Sequence, residues 1–238
     1  MTYPVKFGYT RIMTTYNTFS ALLFDLDGTL VDTSRDIAFA LNAALASAGV
    51  APVSDNDCMR YVGRGLRNAL ACALCDAGET VGDHDMDALL KILQKTYEEH
   101  PFDGARVYPG IDRILEKSVA GGYKLGVLSN KDDSLVKRIV GELFGQIPFI
   151  MIQGAAEPIP LKPDPTSARM FARSAGCAAG SVLLVGDTEV DYQTALAAGM
   201  RTAVVTWGFR SRSNLESAGC APLYDTVEEL ETEVFPWQ

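Results

Sequence analysis

With 238 residues the chain has room for one large domain or two modest ones, and 47% hydrophobic with 21% charged residues is an ordinary balance for a core that needs no disulfide or structural metal. Its 21 Lys and Arg against 30 Asp and Glu leave a formal charge of −9. That charge repels a polyanion, and no long Lys/Arg run offsets it, so no nucleic-acid partner is expected. No apolar run is long enough to cross a bilayer, so no membrane partner is expected either.

The first twenty residues carry little acid, many hydroxyls and no continuous apolar stretch; they read as a loose tail, 1–20, without a secretory signal. From Ala21 short apolar strands alternate with amphipathic helices. Ala21–Phe24 is the first strand and runs into Asp25-Leu26-Asp27-Gly28-Thr29. Residues 34–106 then show helical periodicity and no convincing strand. Helices are expected over residues 37–49 (stopped by Gly49), 58–63, 66–78 and 86–100, with His84 in an acidic, loop-like stretch. Cys72 and Cys75 fall inside the third of these helices; with no second pair to complete a zinc site, they read as two thiols on one helical face. The odd, scattered set of Cys58, Cys72, Cys75, Cys177 and Cys220 suits reduced thiols and a cytoplasmic location.

After residue 107 the alternation resumes. Strands are expected at Tyr123–Leu128, Phe149–Ile152, Ser181–Val185 and Thr202–Thr206, with helices near Ile111–Ala120, Ser134–Leu143, Pro165–Ala175 and Asp191–Ala198. The fold class is therefore α/β: a doubly wound, mostly parallel sheet made by 21–33 and 107–238, interrupted by an inserted helical bundle over 34–106.

Ligands of such sheets bind at the carboxyl ends of the strands. Those ends here carry Asp25 and Asp27, then Ser129 and Asn130, then Gly186-Asp187 with Asp191 four residues on; Lys162 lies in the connection after the third strand. Asp and Ser at strand-to-helix turns are also ordinary helix caps, and a lone lysine is usually solvated. Their coincidence on one rim is what points to chemistry. Clustered carboxylates need compensating positive charge, and hard oxygen ligands with no histidine among them favour Mg²⁺. A carboxylate beside a divalent cation and a lysine can act as a nucleophile. Phosphoryl oxygens would then meet Mg²⁺, Lys162, the Ser129 hydroxyl and turn N–H groups near Gly28 and Thr29, while a second carboxyl two residues on would serve the leaving group. The expected partner is a small phosphorylated metabolite.

Asp25-Leu26-Asp27-Gly28-Thr29-Leu30-Val31-Asp32-Thr33, Ser129-Asn130, Lys162-Pro163 and Gly186-Asp187-Thr188-x-x-Asp191 stand in the order of the motifs of the haloacid dehalogenase superfamily, and the chain resembles it over about Ala21 to Glu233. The resemblance implies that Asp25 is phosphorylated and that Asp27 is the general acid/base. It implies Mg²⁺ held by Asp25, by the main-chain carbonyl of Asp27 and by Asp187, with Asp191 supporting the metal waters or Lys162. It implies that Ser129 and Lys162 hold the phosphate and that Asn130 positions the substrate or Asp25. An acid two residues after the nucleophile is missing from dehalogenases of the superfamily, so phosphoryl transfer is expected. The helical insert is similar to the cap of phosphoglycolate phosphatases, and Tyr61-Val62-Gly63-Arg64-Gly65-Leu66 to the cap loop facing the substrate there. That resemblance makes Arg64 a reader of the non-phosphate end of 2-phosphoglycolate or a similar ester; a solvated Arg64 beside glycines that merely shape a helix entry is the alternative. Other transfers open to the same core are a sugar-phosphate mutase, a pyrophosphatase or nucleotidase, and a regulator without catalysis. Monomer and homodimer are both compatible with the sequence.

Overall fold

Every side chain of the first strand, β1 (Ala21–Phe24), is buried, because both faces of the sheet it enters are covered. Alternate residues point to opposite sides. Leu22 and Phe24 join one hydrophobic cluster, Ala21 and Leu23 another.

The structure is a computed structural model and describes residues 19–235; the expected tail lies almost wholly outside them. A two-residue strand, β2 (Val31–Asp32), follows β1 and leads into four helices: α1 (Ser34–Ser47), α2 (Asp55–Tyr61), α3 (Leu66–Asp76) and α4 (Asp83–Glu99). The chain returns through β3 (Arg106–Val107), then α5 (Ile111–Ala120), β4 (Lys124–Asp132), α6 (Asp133–Phe144), β5 (Phe149–Ala155) and α7 (Thr166–Ser174). It ends with β6 (Val182–Gly186), α8 (Glu189–Ala198), β7 (Arg201–Val205), α9 (Arg212–Ser217), β8 (Leu223–Tyr224) and α10 (Val227–Val234).

The six-stranded sheet has the order β5-β4-β1-β6-β7-β8, and every pairing in it is parallel. Helices α5, α6 and α10 cover one face through Ile114, Ile139 and Leu230. Helices α7 and α8 cover the other through Phe171 and Ala195. Because β1 lies between β4 and β6, the chain winds away from it in both directions, and the crevice at its carboxyl end is where such sheets take a ligand.

The four inserted helices pack around Leu41, Leu45, Leu70, Leu93 and Tyr97, and Leu135 and Phe209 of the sheet portion reach into that cluster. The two crossings between insert and sheet are tied together: β2 and β3 form an antiparallel pair, Val31 opposite Val107 and Asp32 opposite Arg106. A ribbon of two residues a side is too short to leave a period in the sequence, which is why it was not expected. Nor were α9, β8 and α10. His84, expected in a loop, belongs to the first turn of α4, whose start is set by Gly82 in extended conformation and by Asp83 and Asp85.

Two strands run on past their expected ends. β4 continues through Ser129, Asn130 and Lys131 to Asp132. Its pairing with β5 jumps from Leu128–Gln153 to Asp132–Ala155, so four steps on β4 face two on β5. The extra residues bulge, and a bulge re-aims side chains.

Gly126 of β4 has no room for a side chain: an added Cβ would stand 2.5 Å from the Phe171 ring and 3.2 Å from Leu23. Gly126→Ala is expected to destabilise the protein by about 1–3 kcal/mol through overpacking. Urea unfolding should show this as a lower midpoint with an unchanged slope.

Candidate active site

The site begins where β1 stops. The backbone N–H of Asp25 still bonds to the Val185 carbonyl at 2.9 Å, so the sheet ladder fixes the start of the loop. Gly28 then takes φ +82°, and a Cβ there would meet Asp187 Oδ2 at 2.2 Å. Only glycine permits that approach, which lets the carboxylate at the end of β6 sit against the turn after β1.

Asp25 Oδ1 accepts from the Leu26 N–H at 2.7 Å and lies 2.9 Å from Lys162 Nζ. Its Oδ2 has no hydrogen bond from the described residues. Lys162 Nζ also donates to Asp191 Oδ1 at 2.6 Å. Asp191 is the third residue of α8, and its Oδ2 accepts from the Thr188 hydroxyl at 2.7 Å and the Thr188 N–H at 3.2 Å. It is therefore both a helix-capping group and the second anchor of the lysine. Asp187 accepts from the Phe209 N–H at 2.7 Å and the Thr29 hydroxyl at 3.2 Å.

Asp25, Asp187 and Asp191 are all buried, and each offers an oxygen within 4.8 Å of the others. Burial pushes Asp25 up to about 7; Lys162 pulls it down, while Asp191 and Asp27 push it further up. Burial likewise holds Asp187 well above the carboxylate range, with Asp25 and Asp191 adding to it. Lys162 stays above the ordinary lysine range: burial works against its charge, but Asp191 and Asp25 outweigh it. One lysine thus holds a trio of carboxylates incompletely. Oxygen donors at this spacing with unbalanced negative charge are a donor set that fits Mg²⁺.

Asp27 Oδ1 accepts from the Thr33 hydroxyl at 2.5 Å and from Lys131 Nζ at 2.6 Å. Lys131 is buried, also donates to the Tyr97 hydroxyl of α4, and lies 4.4 Å from the centre of the Tyr97 ring. Sequence reasoning missed Lys131, Thr33 and Tyr97. A charged residue after a strand reads as solvated, and only the bulge of β4 turns this one inward.

The pocket is lined by Asp25, Asp27, Ser129, Asn130, Lys131, Lys162 and Thr188 together with an apolar set that includes Ile37, Val62, Leu66, Ala69 and Phe209. The space between them, its open mouth included, is about 480 Å³.

Most residues singled out from the sequence converge here, with three differences in detail. The N–H groups of Gly28 and Thr29, expected to face phosphate, are spent inside the turn, on Val31 O at 2.8 Å and Leu26 O at 3.3 Å; these residues instead make room for Asp187 and bond to it. Asn130 commits its amide to backbone: Nδ2 donates to Gly63 O at 3.1 Å and Lys162 O at 2.9 Å, and Oδ1 accepts from Lys162 N at 2.8 Å. It thereby places Lys162 and ties the inserted helices to the site. Arg64 is not among the lining residues; its side chain is 53% exposed and pairs with Glu189 at 3.4 Å. The neighbouring cation that sequence reasoning passed over is Arg210, which donates to Met59 O at 2.6 Å and Val62 O at 2.7 Å and lies 3.5 Å from Glu189. It caps the last carbonyls of α2 across the mouth of the pocket.

The model of the family described as haloacid dehalogenase-like hydrolase matches residues 22–205. The chain is 33% identical over 214 residues to the phosphoglycolate phosphatase of Rhodospirillum rubrum, covering 88% of each protein. It is 36% identical over 212 residues to that of Cereibacter sphaeroides, covering 88% of this chain and 96% of the other. Among solved structures, a protein of Lactobacillus delbrueckii subsp. bulgaricus described as a candidate phosphoglycolate phosphatase superposes with a TM-score of 0.87 at 29% identity, over 91% of this chain and 98% of that one. The fold, the order of the strand-end residues and these likenesses agree: the chain belongs to the haloacid dehalogenase-like hydrolase family, as a phosphoglycolate phosphatase-like hydrolase.

Proposed function

We propose that the protein hydrolyses a small phosphomonoester, 2-phosphoglycolate being the favoured substrate, through a phosphorylated Asp25. The observation that carries this is the placement of Asp25: its Oδ1 is held by Leu26 N–H and Lys162, and its Oδ2 accepts no hydrogen bond from the described residues, in a pocket that Ser129, Lys162 and Asp27 also line. A carboxylate fixed at one oxygen and free at the other is poised as a nucleophile.

In this reading Asp25 Oδ2 attacks phosphorus, the bond from phosphorus to the ester oxygen breaks, and the leaving oxygen takes a proton from Asp27. Asp27 then takes a proton from water, whose oxygen attacks phosphorus; the acyl phosphate opens, returning Asp25 and releasing inorganic phosphate. Lys162 and the Ser129 hydroxyl hold the transferring group's oxygens. Asp25 and Asp187, with Asp191 beside them and the main-chain carbonyl of Asp27, would hold Mg²⁺, which would supply charge neutralisation for the phosphoryl group and for the carboxylates themselves. The inserted helices contribute Ile37, Val62, Gly63, Gly65, Leu66 and Ala69 to the pocket, none of them titratable. That disfavours a sugar-phosphate mutase, which needs an acid/base on the cap side, and suits a lid that excludes bulk water.

Replacing Asp25 with Asn is expected to lower kcat at least about 10³-fold with the far-ultraviolet circular dichroism unchanged; full activity of this variant on a panel of phosphate esters would sink the proposal. A second test uses pH. Asp25 carries its proton up to about 7 in the metal-free fold, against an ordinary value of 3.8, and Asp187 is shifted the same way. Groups raised on folding contribute stability below their ordinary range and lose it as pH climbs through the raised value. The metal-free protein should therefore melt at a progressively lower Tm between pH 5 and pH 8. Mg²⁺ should restore more of the Tm at pH 8 than at pH 5, and EDTA should abolish turnover.

A further inference from the structure

We infer that Lys131 recognises the leaving-group end of the substrate and that the chemistry it selects is a carboxylate on the carbon bearing the ester oxygen; the inference rests on the phosphatase reading above. The first step is elimination within the pocket. The inserted helices place no charged side chain in its lining, and the cations that do line it are Lys131 and Lys162. Lys162 is bracketed by Asp25 at 2.9 Å and Asp191 at 2.6 Å, on the side where phosphorus is attacked. Arg64 is paired with Glu189 outside the lining, and Arg210 is spent on the carbonyls of Met59 and Val62.

Position supports the same assignment. Lys131 Nζ lies 2.6 Å from Oδ1 of Asp27, the carboxyl that must meet the ester oxygen as it leaves. A group on the first carbon beyond that oxygen therefore comes to lie near this ammonium. Two of its three N–H donors have partners among the described residues, Asp27 and the Tyr97 hydroxyl, and the Tyr97 ring lies beneath it. The lysine is thus held from both portions of the chain, by Asp27 after β1 and by Tyr97 of α4, with its side chain 3% exposed. A desolvated, fixed ammonium discriminates strongly between a carboxylate and a neutral group of the same size, because the neutral group leaves a buried donor poorly paired.

The charge balance agrees. Asp25 and Asp191 pair with Lys162 at the phosphate end, whereas Lys131 pairs with Asp27 at the leaving-group end. A substrate bringing its own carboxylate in addition to its phosphate then needs a cation away from the metal, and Lys131 is the group so placed.

The test compares kcat/KM, with Mg²⁺ present, for 2-phosphoglycolate and for 2-hydroxyethyl phosphate, in which a neutral hydroxymethyl group replaces the carboxylate. The wild type should prefer the carboxylate ester. Lys131→Gln, which keeps hydrogen-bonding capacity toward Asp27 and Tyr97, should lower kcat/KM for that ester about 10- to 100-fold more than for the neutral one. Equal losses on both esters would overturn the inference and leave Lys131 as a residue acting through Asp27. A wild type without preference would overturn it whether or not the variant folds. Calorimetric titration of Asp25→Asn and Asp25→Asn/Lys131→Gln with the two esters reads the same preference in binding. Absence of turnover by the wild type would count against the phosphatase reading, whereas absence of a Lys131-dependent binding preference would count against this one.

Discussion

The constraint on which the rest of the structure depends is the burial of several carboxylates around one ammonium. Lys162 reaches Asp25 and Asp191 at hydrogen-bonding distance, and Asp187 packs close enough to offer an oxygen to the same point. Such a cluster is costly in a low-dielectric interior, and breaking a buried pair typically costs about 3–5 kcal/mol. The fold meets that cost with backbone and hydroxyl donors: the N–H groups of Leu26, Thr188 and Phe209 and the hydroxyls of Thr29 and Thr188 all point at these carboxylates. What they leave uncompensated is negative charge of the kind a bound cation neutralises. Reactivity and marginal local stability are two faces of one electrostatic arrangement.

The inserted helices complete the site without adding charge to it. Their lining residues are apolar or glycine, and they are held down by main-chain acceptors: Gly63 O on Asn130, Met59 O and Val62 O on Arg210. Contacts of this kind are directional, so they fix where the inserted helices sit over the pocket. Tyr97 is the exception. It is buried in the helical bundle, yet its hydroxyl meets Lys131 of β4, which links the bundle's own core to the Asp27 carboxylate.

Much of this was legible in the sequence. The strand run 21–24 and the helix 111–120 stand where their periodicities put them, and the strand beginning at Phe149 starts where expected and runs on to Ala155. The convergence of Asp25, Asp27, Ser129, Lys162, Asp187 and Asp191 follows from their positions at or just after strand ends in a parallel sheet, a placement that needs only chain order and the rule for such crevices. Elements that escaped notice were short or edge-lying. The β2–β3 ribbon and β8 are two residues each and owe their existence to partners far away in the chain.

The residue types that gather at the Asp25 end of the pocket were set by the sequence alone, because they sit at strand ends and the hydrophobic pattern suffices to locate those ends. Only the tertiary structure decided the other end of the pocket. Which cation lines the pocket beside Asp27 turns on a register shift between β4 and β5 and on a hydroxyl from α4, and neither is a local property of Ser129-Asn130-Lys131. Arg64, the charged residue in the cap loop, is drawn instead to Glu189 at the rim, and the glycines around it approach the sheet with backbone alone. Pairing register and side-chain competition are long-range quantities, so a one-dimensional pattern of hydrophobic and charged residues does not contain them.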